Sequence, residues 1–92
     1  MFMNCWKINM LIWHDDAWTE YLEWQKLDCK KFSKINSLLK EVMRTPYEGT
    51  GKPEPVKGNL EGFWSRRIDQ EHRLVYKVCA EGIEIAQCRG HY

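Results

Sequence analysis

One stretch, residues 45–62, divides this chain into two halves of different character. It contains Pro46, Pro53 and Pro55 together with Gly49, Gly51, Gly58 and Gly62. Proline removes a backbone donor, and glycine is entropically costly in a regular element, so neither a helix nor a central strand tolerates that density of both. The stretch therefore reads as a long loop. Loops of this length inside small domains are often functional, which makes 45–62 the first place to look for a site. Any fold must also join a helix-patterned half to a strand-patterned half across it.

Before the loop, residues 7–13 end in the apolar patch Met10-Leu11-Ile12-Trp13 and read as a first strand. Asp15 or Asp16 is placed to cap a helix. Ala17, Tyr21 and Trp24, with Trp18 and Leu22, recur at helical spacing and predict a wide apolar face through Leu27. Asp28 is a second cap candidate, followed by Phe32, Ile35, Leu39 and Val42 on one side of an amphipathic helix ending near Arg44. After the loop, 63–69 and 73–79 read as strands around a turn at 70–72, and Glu81-Gly82 marks a turn before a last strand over 83–89. The predicted order is β-α-α-β-β-β. This is an α+β fold in which two N-terminal helices pack on one face of a small antiparallel sheet. Alternation puts Leu74, Tyr76 and Val78 on the core face and Arg73, Val75 and Lys77 on the other, and it separates Phe63, Ser65 and Arg67 from Trp64, Arg66 and Ile68. The sheet is thus expected to present arginines on a face the helices leave open.

At 92 residues the chain is expected to form a single domain spanning 1–92. A formal net charge of +1 argues against a protein that grips long nucleic acid by bulk charge. Local basic faces remain: Lys30, Lys31 and Lys34 form one cluster, and Lys57, Arg66, Arg67, Arg73 and Lys77 another. Cys5, Cys29, Cys79 and Cys88 contain no C-x-x-C pair, and Cys88 with His91 has no further ligand close by. The expectation is free thiols in a reducing cytoplasm, without metal or cofactor. No apolar run is long enough to cross a membrane. The opening residues 1–9 do not read as a signal peptide, and Met10 is an alternative start that would make them an extension.

The chemistry-bearing residues suit a phosphodiester. Cleaving RNA without a metal needs a base for the 2′-hydroxyl proton, positive charge for the phosphate oxygens and an acid for the leaving 5′-oxygen. Glu54, held between Pro53 and Pro55, supplies a carboxylate; Arg73 and Arg67, on candidate strands, supply guanidinium forks; His91 supplies an imidazole. Lys52 and Lys57 flank Glu54 and either favour its ionised form or contact phosphate, and Tyr92 offers a stacking surface for a base. Taken one at a time, each of these residues is more often a solvated or salt-bridged surface group than a catalytic one. Spacing alone does not bring Glu54 and His91 together.

The runs Arg44-Thr45-Pro46-Tyr47-Glu48-Gly49, Gly51-Lys52-Pro53-Glu54-Pro55-Val56-Lys57, Asn59-Leu60-Glu61-Gly62-Phe63-Trp64-Ser65-Arg66-Arg67-Ile68, Glu71-His72-Arg73-Leu74-Val75-Tyr76 and Cys88-Arg89-Gly90-His91-Tyr92 resemble the YoeB (Txe) family of bacterial toxins within the RelE-like superfamily. The resemblance covers about residues 10–92. It implies a RelE-like fold and a ribosome-dependent, metal-free endoribonuclease that cuts messenger RNA in the decoding site. Glu54 matches the general base, His91 the general acid and Arg73 the arginine that stabilises phosphate charge. Arg67, Lys52, Lys57 and Tyr92 match substrate-contacting positions. The resemblance also implies a YefM-like antitoxin, a homodimer, and contact with operator DNA only through the antitoxin. Gly90 departs from the pattern, since a bulkier residue is common there, and residues 1–9 precede the usual start. The competing reading is a non-catalytic module that binds the ribosome or an antitoxin.

Overall fold

Met10-Leu11-Ile12-Trp13 is extended, as its apolar run predicts, and begins the described part of a computed structural model covering residues 10–58 and 61–90. Residues 7–9 of the expected first strand lie outside it. Strand β1 (Met10–Trp13) leads into α1 (Asp15–Leu27) and α2 (Cys29–Arg44); β2 (Glu54–Pro55), β3 (Trp64–Arg67), β4 (Arg73–Cys79) and β5 (Gly82–Gln87) follow. The five strands form one sheet in the order β1-β5-β4-β3-β2. The α+β class and the two N-terminal helices are as expected.

Two details differ. The sheet is mixed, because β1 pairs parallel to β5, with Leu11 opposite Ile83 and Trp13 opposite Ile85. A hairpin forces antiparallel pairing, but β1 and β5 are separated by every other element, so no short turn dictates their direction. The loop also contains a strand: Glu54 pairs with Ser65 and Pro55 with Trp64. Pro55 is tolerated there because β2 is the edge of the sheet, where its missing N–H has no ladder partner to disappoint.

The helices are anchored unevenly. Asp28 caps α2, its side chain accepting from the N–H groups of Lys30 and Lys31. Neither Asp15 nor Asp16 caps α1; the cap residue is His14, without a side-chain cap bond, and the two aspartates occupy the first turn, where their charge meets the positive end of the helix dipole. Ile35, Leu38, Leu39 and Val42 of α2 and Ala17 and Trp24 of α1 join Leu74, Tyr76, Ile83 and Ile85 in the core. The α1 apolar face is narrower than its sequence suggests, for Trp18, Leu22 and Leu27 are exposed. Val78, expected in the core, is 37% exposed; it sits opposite Ile83, one pair before the β4–β5 turn. Strands β3 and β5 are each shorter than read, ending at Arg67 and Gln87.

Gly82 fixes how closely β1 approaches β5. A Cβ there would stand 2.1 Å from the Met10 carbonyl oxygen, and the residue's φ of +153° is rarely adopted by side chains. Gly82→Ala is therefore expected to lower the free energy of unfolding by at least about 2 kcal/mol. An unchanged urea midpoint would show that the strand pair is not held this tightly.

Candidate active site

The face of the sheet away from the helices carries Glu54, Arg67 and Arg73 in one patch. Ser65 is the shared neighbour: it pairs with Glu54 on one side and Val75 on the other, and two residues along the same strands Arg67 pairs with Arg73. Side chains at these paired positions share a face. Glu54, Arg67 and Arg73 are thus gathered by sheet register, although they come from a loop and two strands. Lys52 and Lys57 are exposed on either side of β2.

Arg67 is exposed, whereas Arg73 is 9% exposed. The Arg73 guanidinium donates from Nη1 to the carbonyl oxygens of Asp69 (2.9 Å) and His72 (3.2 Å). Among the described residues, neither arginine has a carboxylate partner. Two guanidinium groups on directly opposed positions repel one another, and a group that brings negative charge relieves that repulsion. Two cationic forks thus share one face, a chemistry that suits an anion such as phosphate.

The loop that delivers Glu54 is held from beneath by a residue that the sequence reading assigned no role. Arg66 is completely buried on the helix side. Its Nε donates to Tyr76 Oη (3.2 Å), Nη1 to Glu41 and to Thr50 O (3.3 Å), and Nη2 to Thr45 O and to Glu48 O (2.8 Å). All five guanidinium N–H groups are used. Tyr76 Oη in turn donates to Pro46 O, and Glu41 accepts from the N–H and hydroxyl of Thr50. The Thr50 N–H leads the causes that hold the Glu41 carboxyl below its usual range, with the Thr50 hydroxyl and Arg66 adding to it. Beyond this knot, Gly51 O accepts from Arg67 N at 2.7 Å and Val56 N donates to Phe63 O at 2.9 Å, pinning both flanks of β2 to β3. A Cβ on Gly51, whose φ is +88°, would lie 3.0 Å from Arg67 O. Only glycine allows that approach without strain. The signal for Arg66 was the Arg66-Arg67 pair itself, since alternation sends adjacent arginines to opposite faces.

Residues 88–90 return to β4 at Arg73. Cys88 N donates to Glu20 Oε1 (2.9 Å), and Trp24 Nε1 donates to Cys88 O (2.8 Å). Burial pushes the Glu20 carboxyl up, against the lowering effect of the Cys88 and Arg89 backbone bonds. Burial also pushes the Cys88 thiol up to about 12, so it packs as an inert group rather than a nucleophile. Arg89 pairs with Glu23 at 2.9 Å. Gly90 O accepts from Arg73 N (3.0 Å) and from Gln87 Nε2 (3.1 Å), and Gly90 N donates to His72 Nδ1 (2.7 Å). Gly90 has a φ of +85°, a conformation glycine reaches without penalty. The predicted residues His91 and Tyr92 lie outside the described part of the structure. The described residues contain no cluster of three or more candidate metal ligands, and no helix among them is long and apolar enough to cross a membrane.

A separate apolar groove runs between the helices and β1, lined by Leu11, Trp13, Trp18, Tyr21, Leu39 and Met43. Asn36 and Lys40 complete its lining.

Comparison with known proteins gives a consistent result. A family model described as YoeB-like toxin of bacterial type II toxin-antitoxin system matches residues 13–92. The toxin YoeB of Escherichia coli K12 is 57% identical over 82 residues, covering 89% of this chain and 98% of that protein. The YoeB chain of a YoeB–YefM complex from Staphylococcus aureus superposes with a TM-score of 0.84 at 45% identity, covering 91% of this chain and 98% of that one. A YoeB dimer from the same organism gives 0.85 at 46% identity, covering 94% and 99%.

Two outcomes are expected from this geometry. Arg66→Met takes the cation from Glu41 and the donor from three loop carbonyls; it should lower unfolding free energy by about 3 kcal/mol and open 45–51 to proteolysis, and a resistant loop would refute the anchoring role. The second concerns Asp69. Burial opposes its ionisation, but Lys31 Nζ at 2.7 Å and the N–H groups of His72 and Glu71 outweigh that and bring its pKa down to about 2 from 3.8. A lowered carboxylate pKa stabilises the fold above the unfolded value, and the benefit disappears as pH falls from about 4 towards 2. Asp69→Asn should flatten that part of the stability–pH curve, and an unaltered slope would show that Asp69 does not contribute to it.

Proposed function

The chain belongs to the YoeB-like toxins of bacterial type II toxin–antitoxin systems, and from that membership we propose that it is an endoribonuclease that cuts messenger RNA on the ribosome. The observation that carries the reading is the register of the sheet: Glu54, Arg67 and Arg73 share one face, with the two arginines opposed and free of carboxylates among the described residues. Glu54 takes the proton from the ribose 2′-hydroxyl as that oxygen attacks the adjacent phosphorus. Arg73 and Arg67 hold the phosphate oxygens as negative charge accumulates on them. His91 gives a proton to the departing 5′-oxygen, leaving a cyclic phosphate and a 5′-hydroxyl. Base, charge and acid all come from side chains, so the scheme needs neither metal nor cofactor.

Support for His91 comes from its neighbour, since Gly90 is hydrogen-bonded to the backbone N–H of Arg73. Lys52 and Lys57 contact flanking phosphates, and Tyr92 stacks on a base. With a net charge of only +1, the chain relies on the ribosome to present the message rather than capturing free RNA by bulk charge. By analogy with the Staphylococcus aureus YoeB–YefM complex and YoeB dimer, it binds a YefM-like antitoxin, forms a homodimer, and reaches operator DNA only through the antitoxin. It works in the cytoplasm, where its substrate is. The apolar groove with exposed Trp18 beside it suits a protein partner.

The test is cleavage of message on programmed ribosomes with chelator present, followed by mapping of the RNA ends. Glu54→Gln and His91→Gln should each slow cutting by roughly 10²–10⁴-fold, and Arg73→Ala should also remove most of it. If all three variants cut like the parent, the site assignment is wrong. Stalled but uncut message with the parent would instead identify a binding module without catalysis.

A further inference from the structure

His72 was read from the sequence only as part of a turn, and the proposed chemistry does not use it. Its environment is unusually determined. The backbone N–H of His72 donates to Asp69 Oδ1 at 2.7 Å, and its carbonyl accepts from Ile68 N at 3.0 Å. The ring meets the Trp24 indole edge-on, 4.9 Å between centroids. Its side chain is 14% exposed. Ring position is therefore set by the β3–β4 turn on one side and by α1 on the other.

Two contacts from this residue reach the two halves of the proposed site. Its carbonyl accepts from Arg73 Nη1 at 3.2 Å, and its Nδ1 accepts from Gly90 N at 2.7 Å. A backbone N–H can only donate, so Nδ1 carries no proton and the neutral ring bears its proton on Nε2. Glu71 Oε1, 3.6 Å from Nε2, lies on the side where that proton points. Gly90 is the residue from which the chain continues to His91.

We propose that His72 is a positioning residue for catalysis: as a neutral, Nε2-protonated imidazole it holds the Gly90 N–H, and so fixes against the β3–β4 turn the residue from which the chain continues to the proposed acid. The idea rests on the proposed cleavage chemistry and adds a residue to it that touches neither substrate nor reacting atoms. Trp24 supports the same clamp from both ends, by donating to Cys88 O and by packing on the His72 ring. A displacement of about 1 Å at a reacting group costs up to about 100-fold in rate, so a hydrogen bond that fixes the preceding residue has a large lever.

Two variants separate positioning from packing. His72→Phe keeps a flat ring against Trp24 but deletes the acceptor. His72→Asn keeps an acceptor near the Nδ1 position but loses the ring. Single-turnover cleavage on programmed ribosomes should fall about 10- to 100-fold in His72→Phe, with ribosome affinity unchanged, and should stay within about threefold of the parent in His72→Asn. A structural role alone would give the opposite order, and either that order or an unaffected His72→Phe overturns the proposal. A second readout does not depend on RNA. Nitrogen-15 spectra of the purified chain should show an unprotonated His72 Nδ1, and the Gly90 amide should shift upfield and exchange faster in His72→Phe. If the parent does not cut, the cleavage chemistry fails while these spectra still decide the clamp. If the parent cuts but the Gly90 amide is unmoved in His72→Phe, the clamp fails alone.

Discussion

The structure depends on one buried cation. Arg66 brings a charge into a site with no exposure, and the desolvation cost of such a burial is several kcal/mol unless every donor is met. Here each is met, by Tyr76, by Glu41 and by three carbonyls of the proline- and glycine-rich loop. A stretch with that composition has few apolar side chains with which to hold itself down, so backbone carbonyls are its main available handles. A guanidinium is the side chain suited to the task, because its fork is planar and permanently charged. Lysine would offer fewer donors from a single point and would leave loop carbonyls unpaired. The consequence is directional: with 45–50 tied down, Gly51 lies against Arg67 and Glu54 enters the sheet edge opposite Ser65.

The carboxy-terminal segment is held by a different logic. It is short, lies past the last strand and has little apolar surface of its own. Its order comes from α1, where Glu20 and Trp24 take the N–H and carbonyl of Cys88, and from the β3–β4 turn, where His72 and Arg73 take those of Gly90. The first helix is thus more than core packing; its Trp24 is the bridge between the tail and the turn. Loop and tail meet the arginine pair on different strands, the loop through Gly51 O and Arg67 N on β3 and the tail through Gly90 O and Arg73 N on β4. Neither would be placed by its own residues alone.

This explains what was legible beforehand. Helical spacing exposed α2 and its Asp28 cap, and alternation exposed β4 with Arg73 facing away from Leu74 and Tyr76, because both patterns are local. The placement of two helices between the first strand and the remaining ones also followed from pattern alone. The strand at Glu54–Pro55 was hidden by the prolines that flank and follow the glutamate, and only its position at the edge makes it possible. The opposed roles of Arg66 and Arg67 were half visible: alternation separates them, but nothing local says that Glu41, 25 residues earlier, waits for one of them. The roles of Trp24 and His72 were hidden altogether, since an indole in an apolar stripe reads as core and an imidazole in a turn reads as surface. His91 and Tyr92 owe their assignment to the family pattern, and the structure bears on them only through Gly90.

In the proposed cleavage of a phosphodiester, the arginine pair carries both a cost and a gain. Opposed cations on adjacent strands weaken the free sheet, and Arg73 is partly shielded only by the carbonyl dipoles of Asp69 and His72. Dipoles moderate a charge without neutralising it, so an attraction for anions remains. A phosphodiester in its ground state carries one negative charge, and the pentavalent state formed on attack carries more. Two nearby guanidinium groups therefore gain more from the second than from the first, which is the differential binding that lowers a barrier. A carboxylate placed between the arginines would stabilise the fold and cancel that difference. Among the described residues such a carboxylate is missing from the one position where it would help stability most and chemistry least.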